Sequence, residues 1–394
     1  MTNAMLDALL PLLIPRIREI RRDIHAHPEL AFGEWRTAER VAAHLASLGL
    51  EVRRGLAGTG VVASLKAGTG SRAIGLRADM DALPLEELNT FGHRSMHRGQ
   101  MHACGHDGHV AMLLGAAEAL VALRHEGRFD GTVHFIFQPA EEHEGGARVM
   151  LEQGLLDQCP MDAVFGLHNW PGLPVGEMAV TAGPVMAGAD RFEVAIHGQG
   201  GHAAMPHQAN DVVLAGAALV QSLQMLVSRL RDPLEPAVLS VTRFHAGHAD
   251  NVLPEEAVLG GTVRTFSESQ QQAMESALRR VCEGVALSHG VEVRLGYERG
   301  YPPTINTALQ AGQCAEAAAR VLGGGKVRRD LRPSMGAEDF AYFLQQRPGC
   351  YVWLGNGAGQ GGCMLHSPTY DFNDEIIPLG IRYWVALVEQ VLPV

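Results

Sequence analysis

The chain has 394 residues, 46% of them hydrophobic and 19% charged, with a net charge of −11. That length suits about two or three domains, each with a core of its own. The negative charge, without a basic stripe of interleaved aromatics, excludes general attraction to nucleic acid or to anionic membranes. No apolar run is long enough to span a bilayer. The early stretch Ala8–Ile14 is apolar but short, broken by Pro11 and followed rather than preceded by basic residues, the reverse of a signal peptide. Six cysteines lie scattered without framework spacing, which fits reduced thiols and a cytoplasmic enzyme. Nineteen histidines is a high count for a residue that so often binds metal.

In chain order, Met5–His27 reads as an amphipathic helix ended by Pro28, which disfavours helix at the residue before it. His25 and His27 are either ligands or histidines at a helix C-terminus, where the dipole welcomes them. Thr37–Leu48 is a second helix, stopped by Gly49. Val61–Lys66 and Ala73–Arg77 read as short buried strands. The stretch Arg77-Ala-Asp79-Met-Asp81 follows the second strand. Carboxylates at a strand's C-terminal end are placed as active-site groups are, or they cap a turn.

Met101–His109, MHACGHDGH, packs three histidines, a cysteine and an aspartate into one stretch. Thiolate and imidazole suit zinc-like ions and aspartate adds a hard oxygen; the alternative is a solvated His-rich loop with a spare thiol. In extended backbone Cys104 and His106 share one face. The apolar run Gly108–Leu123 reads as a helix, so the cluster sits at a helix N-terminus. Gly131–Pro139 is a strand ending in Glu141-Glu142. Adjacent glutamates there can divide the work of metal ligand and general base, or form a solvated acidic loop. Ala163–His168 is another strand with a histidine at its tip.

Beyond Gly183 the pattern becomes β-α-β-β-α-β: strands at Arg191–Gly198, Ala237–His245, Ala257–Thr265 and Val291–Tyr297, helices at Asp211–Leu230 and Ser267–Ser288. This reads as an inserted sandwich. It carries Gly198–His207 with His202, then Asn251-Val-Leu-Pro254 and Gly260–Arg264. The chain then returns to α/β character. A helix spans Thr307–Leu322, Ser334–Phe340 is a polar turn before a short helix, and Cys350–Leu354 is a strand. Gly355–Gly362 lacks the Lys-Ser/Thr ending of a nucleotide loop and suits a loop that folds over a small ligand. His366 follows, and Ile381–Leu392 is the final helix.

RADMDALP, MHACGHDGH, QPAEE, GLH, GQGGHAAMPH, NVLPE with GTVR, GAEDF and LHSP stand here in one order. In that order the chain resembles the aminoacylase/carboxypeptidase family of dinuclear metallo-amidohydrolases. Within it, the chain is most similar to the branch of hippurate hydrolases, N-acyl-amino-acid amidohydrolases and auxin-conjugate hydrolases. The resemblance runs from about Ile20 to Leu387. It implies an α/β fold: a larger catalytic domain with a central mixed sheet flanked by helices, interrupted by the smaller α+β sandwich. The expected boundaries are residues 1–184 and 299–394 for the catalytic domain and 185–298 for the insertion, through which such proteins form homodimers or homotetramers.

The resemblance also implies two divalent ions per subunit (Mn²⁺, Zn²⁺, Co²⁺ or Ni²⁺), held by Cys104, His106, Glu142, His168 and His366. Glu141 falls on the general base, and His202 on a histidine that polarises the scissile carbonyl in a neighbouring subunit. Asn251 and Arg264 fall where relatives hold the substrate's carboxylate. Arg77 replaces a metal-binding histidine of other branches, which leaves Asp79 to orient a ligand from behind. The expected reaction is hydrolysis of N-acyl (acetyl, benzoyl or similar) amino acids to a carboxylic acid and a free amino acid, by a metal-bound water activated by Glu141. The rival readings are a metallo-dipeptidase or carboxypeptidase with the same site, a silent metal-binding scaffold, and a thiol enzyme built on Cys104.

Overall fold

The computed structural model describes residues 4–358 and 364–394. The chain divides into two compact units, residues 1–185, 305–332 and 339–394 forming the first, and 186–304 with 333–338 the second.

The first unit opens with α1 (Ala4–Ala26) and α2 (Trp35–Ser47), then β1 (Glu51–Leu56), β2 (Gly60–Ala67) and β3 (Ala73–Asp79). Next come α3 (His106–Leu123), β4 (Gly131–Gln138), β5 (Ala163–Pro171) and the two-residue β6 (Met178–Ala179). The second unit contributes β7 (Gly188–His197), β8 (Gly201–His202), α4 (Val212–Ser228), β9 (Ala237–Ala246), β10 (Val252–Leu253), β11 (Glu256–Thr265), α5 (Glu268–His289) and β12 (Glu292–Arg299). The first unit closes with α6 (Ala308–Leu322), β13 (Val327–Arg328), β14 (Gly349–Gly357) and α7 (Ile377–Val391).

Eight strands of the first unit form one mixed sheet in the order β1-β2-β4-β3-β5-β14-β6-β13. Its middle, β4-β3-β5-β14, is parallel. Strands there are covered on both faces and read as near-continuous apolar runs, as AIGLRAD in β3 and GTVHFIFQ in β4 do. Helix α3 is apolar almost all round, and its whole length is buried against α1, α7 and the sheet. Gly108 and Gly115 permit this: a Cβ at either would stand 2.2 Å from Phe372 or 2.4 Å from Ile381. Parallel strands deliver their carboxyl ends to one edge, so Asp79, Gln138 and the tip of β5 come side by side there.

The second unit holds a four-stranded antiparallel sheet in the order β9-β11-β7-β12. Residues of β7 alternate between buried and exposed, and Phe192, Val194 and Ile196 pack with Leu219 and Leu223 of α4 and Leu278 and Cys282 of α5. The β-α-β-β-α-β order expected from the pattern is the observed one, and the mixed α/β fold likewise.

Strand β1, EVRRGL, is mostly polar and carries no apolar strand pattern; only Leu56 is buried, and pairing with β2 supplies what burial does not. Two local expectations are corrected. The last helix starts at Ile377, because Pro378 sits in its first turn, where a missing N–H costs nothing. Cys104 and His106 do not lie on extended backbone: Gly105 adopts a left-handed φ of 97° and His106 opens α3.

Candidate metal centre

The start of α3 with the turn before it, the loop after β4, the end of β5 and the segment that holds His366 supply the site. The turn at Gly105 points Cys104 and His106 from consecutive steps of a sharp bend into one space. Cys104 Sγ lies 3.3 Å from His168 Nε2. His106 Nε2 lies 3.9 Å from Glu142 Oε1, and His366 Nε2 lies 3.3 Å from the same oxygen. Two sets of donors, Cys104–His106–His168 and Cys104–Glu142–His366, have ligand atoms within 4.8 Å of one another, and Cys104 belongs to both. His106, Glu141 and Glu142 form a third such set. The five residues Cys104, His106, Glu142, His168 and His366 thus converge. His366 is held by a left-handed φ of 62° and by its N–H, which donates to Ala103 O at 2.8 Å.

Both buried imidazoles are fixed from behind. His106 Nδ1 donates to Asp81 O at 2.9 Å, and His168 Nδ1 to Asn169 O at 2.6 Å. That leaves both Nε2 atoms facing the cluster, the arrangement by which ligand histidines are oriented. Among the described residues His106 Nε2 has no hydrogen-bond partner although it is buried. Ligand bonds of 2.0–2.3 Å to a shared ion leave donor atoms about 3–4 Å apart, so these spacings suit a divalent cation better than direct hydrogen bonds.

The electrostatics point the same way. Burial, with the carboxylates of Glu142, Glu141 and Asp79, pushes the Cys104 thiol well above its usual value. A free thiolate nucleophile is therefore disfavoured, whereas a bound cation deprotonates a coordinating thiol outright. Burial works against charge on His106, but Asp79, Asp81 and Glu142 outweigh it and hold the imidazole up to about 10. Burial and the neighbouring His109 push His168 well below its usual value, so it stays a neutral donor. The cavity favours positive charge, and its soft–hard mixture of S, N and O fits divalent transition ions.

Glu141 is 5% exposed and accepts the Asp339 N–H at 3.3 Å on Oε1. Asp79 does not bond to any of the five converging residues. Its Oδ1 accepts from His109 Nδ1 at 2.6 Å, and Arg77 Nη1 donates to its Oδ2 at 2.6 Å, while His106 Nε2 stands 3.8 Å away. His109 in turn meets Asn169 Oδ1 at 2.7 Å, and Asn169 Nδ2 reaches the Tyr370 hydroxyl at 2.5 Å. The sequence placed His109 among the candidate donors of MHACGHDGH and Asp81 among the strand-end carboxylates, without indicating which side chain either one holds. The signal was present in both motifs, as the third histidine of MHACGHDGH and the second aspartate of RADMD, but their partners are distant in sequence.

His25, read as either a ligand or a helix-end histidine, is the latter: it stands in the last turn of α1, buried between Asp107 and Glu87 at 2.9 and 3.3 Å. His27 Nδ1 bonds to Asp23 O at 2.8 Å, as a helix-end histidine does. The second half of Gly355–Gly362, and Cys363, lie outside the described residues.

On the second unit, His202 lies on β8, paired with Val252 of β10, and the Ala203 N–H donates to Asn251 O at 3.1 Å. His202 and Asn251 are therefore neighbours. The Ala204 N–H donates to His202 Nδ1 at 3.0 Å, which puts the ring proton on Nε2 and leaves it as an exposed donor. Arg264 is half-buried on β11, opposite Ala189. Burial and the nearby Arg191 both act against its charge, a situation an anion would relieve.

Residues 75–390 match the peptidase family M20/M25/M40. The chain is 40% identical to an N-acetylcysteine deacetylase of Bacillus subtilis (strain 168), across 96% of this chain and 97% of that protein. It is 36% identical to a hippurate hydrolase of Campylobacter jejuni, across 96% and 99%. Among solved structures, a dinuclear metal-binding peptidase of Bacillus subtilis from the M20 family aligns with a TM-score of 0.85 and 36% identity, covering 97% of this chain and 99% of that one.

Proposed function

We propose, from the premise that the chain belongs to the peptidase family M20/M25/M40, that it hydrolyses the amide bond of N-acyl amino acids, releasing a carboxylic acid and a free amino acid. The observation that carries this reading is a buried glutamate, Glu141, beside a convergent thiol, imidazole and carboxylate donor set.

Cys104, His106, Glu142, His168 and His366 would hold two divalent ions, with Mn²⁺, Zn²⁺, Co²⁺ and Ni²⁺ all compatible with the donors. When bound, such ions supply Lewis acidity that acidifies water and draws charge from a carbonyl oxygen. Glu141 takes the proton of the attacking water and returns it to the departing amine. His202 offers its Nε2–H to the oxygen that gains charge; a donor of this kind contributes ~3–4 kcal/mol at the transition state. The fork of Arg264 and the amide of Asn251 suit the substrate's carboxylate. Asp79 acts at one remove, through His109 and Asn169. The reading includes a homodimer or homotetramer formed through the second unit, whose helices leave Val213, Leu214, Met225 and Leu287 exposed. Free thiols at Cys104, Cys159, Cys282, Cys314 and Cys350 support a reducing, cytoplasmic setting.

The test is amino acid release from a panel of N-acetyl and N-benzoyl amino acids and dipeptides, by protein supplied with Mn²⁺ or Zn²⁺, with chelated protein as the blank. Metal-dependent release from acyl amino acids is expected. Glu141→Gln should bind the same quantity of metal and lose about 100-fold or more in turnover. Cleavage of dipeptides alone would move the protein to the peptidase reading, and near wild-type turnover in the Gln variant would remove Glu141 as the base.

A further inference from the structure

Glu34 occupies the N-cap position of α2, yet its side chain bonds to none of that helix's N–H groups. Glu29 does that work instead, accepting the N–H groups of Arg36 and Thr37 at 2.9 Å each. The Glu34 carboxylate is turned inward and fully buried. Its Oε1 accepts the Phe32 N–H at 3.1 Å and the Ala140 N–H at 2.9 Å, and its Oε2 accepts the Thr59 hydroxyl at 2.6 Å.

These partners are unusual. Four non-glycine residues among those described have positive φ: Phe32 at 59°, Ala57 at 50°, Ala140 at 55° and His366 at 62°. A residue with a Cβ disfavours that conformation, which persists only where surrounding bonds hold it. Phe32 and Ala140 both give their N–H to one oxygen of Glu34. Ala57 lies in the turn that carries Thr59, the partner of the other oxygen. Ala140 directly precedes Glu141 and Glu142. The same turn is closed on its far side by the Gly146 N–H on Ala140 O at 2.9 Å, where a Cβ on Gly146 would stand 1.8 Å from Pro139 O.

We infer that Glu34 is a positioning residue: by accepting the Ala140 N–H it holds the left-handed turn that aims Glu141 and Glu142 at the metal cluster. The inference rests on the proposed roles of those two glutamates. Among the described residues Glu34 makes no hydrogen bond or ion pair with any of the five converging residues. Burial pushes its carboxyl up to about 7 against the Thr59 hydrogen bond. The neutral acid keeps an oxygen that can accept both N–H groups, and a glutamine side chain does the same.

The experiment compares Glu34→Ala, Glu34→Asp and Glu34→Gln by cobalt(II) titration of the visible absorption bands and by steady-state hydrolysis of an acyl amino acid. Glu34→Ala is expected to weaken cobalt affinity about tenfold, change the bands, and lower kcat about 100-fold with KM within twofold. Glu34→Gln should stay within threefold of wild type in all of these. Adding Ala140→Gly to Glu34→Ala should recover at least tenfold in kcat, because glycine adopts the positive φ freely. Wild-type cobalt affinity and kcat in Glu34→Ala would overturn the inference, as would Glu34→Gln being as damaged as Glu34→Ala. Should Glu34→Ala not fold, Glu34→Asp decides: its carboxylate is one methylene short of Ala140, so a tenfold loss in kcat is expected and wild-type values overturn it. Cobalt binding is read without substrate. A wild-type protein that binds cobalt but cleaves no acyl amino acid therefore sinks the proposed reaction while the affinities still test Glu34.

Discussion

Asp81 gives its carbonyl oxygen and one carboxylate oxygen to His106 Nδ1, and its other carboxylate oxygen to the Glu142 N–H at 3.0 Å. One side chain thereby sets the aim of two residues from different loops, and nothing in RADMD announces which N–H groups it will meet. His25 carries the same lesson with a consequence for pH. Burial opposes its charge, but Asp107 and Glu87 outweigh burial and hold the imidazolium up to about 9. The folded value lies above the unfolded one, so the folded chain binds more protons between about pH 6.5 and 9. The stabilisation is complete below that window and is lost as pH rises through it, on the order of 3 kcal/mol at most. Urea midpoints at pH 6 and pH 9.5 should therefore fall further for wild type than for His25→Gln, and equal falls would remove His25 from the balance.

At the scale of elements, the start of α3 is the critical joint. Gly105 combines a φ of 97° with neighbours that leave no room, since a Cβ there would stand 2.1 Å from Asn169 Oδ1 and 2.6 Å from the Tyr370 hydroxyl. Gly105→Ala should cost about 2–4 kcal/mol through strain and overpacking, and should weaken cobalt affinity because Cys104 and His106 flank it. Gly284, inside α5, has nothing within 4 Å of a built Cβ. There Gly284→Ala should instead stabilise by about 1 kcal/mol. Thermal melts of the two variants test both signs. The length and composition of Gly108–Leu123 were enough to place the helix, because an Ala- and Leu-rich apolar run of that length without proline has few other solutions. They could not show that the backbone turns left-handed at Gly105, because that choice is made by Asn169 and Tyr370, which come from other elements.

At the scale of the whole molecule, the proposed homo-oligomer has a sharper consequence. If His202 of one copy serves Glu141 of another, His202→Ala and Glu141→Gln, each inactive alone, should regain up to about a quarter of wild-type activity once subunits have exchanged. No recovery after exchange verified by mass spectrometry would count against that arrangement. The mixed central sheet was what the resemblance implied, while the sequence by itself determined the order of apolar runs, and with it the α/β character of the chain, the β-α-β-β-α-β run and the residue types able to bind metal. Those follow from periodicity and donor chemistry, which are local properties of the chain. Of the nineteen histidines, the resemblance singled out His106, His168 and His366, but only the tertiary structure decided what faces each ring nitrogen. It turned His25 into a buried ion-pair partner, set His109 between Asp79 and Asn169, and left His106 Nε2 without a partner. A histidine's role depends on what faces each of its nitrogens. For His25, His106 and His109 those groups arrive from strands and loops 25 to 82 residues away, beyond the reach of a local sequence window.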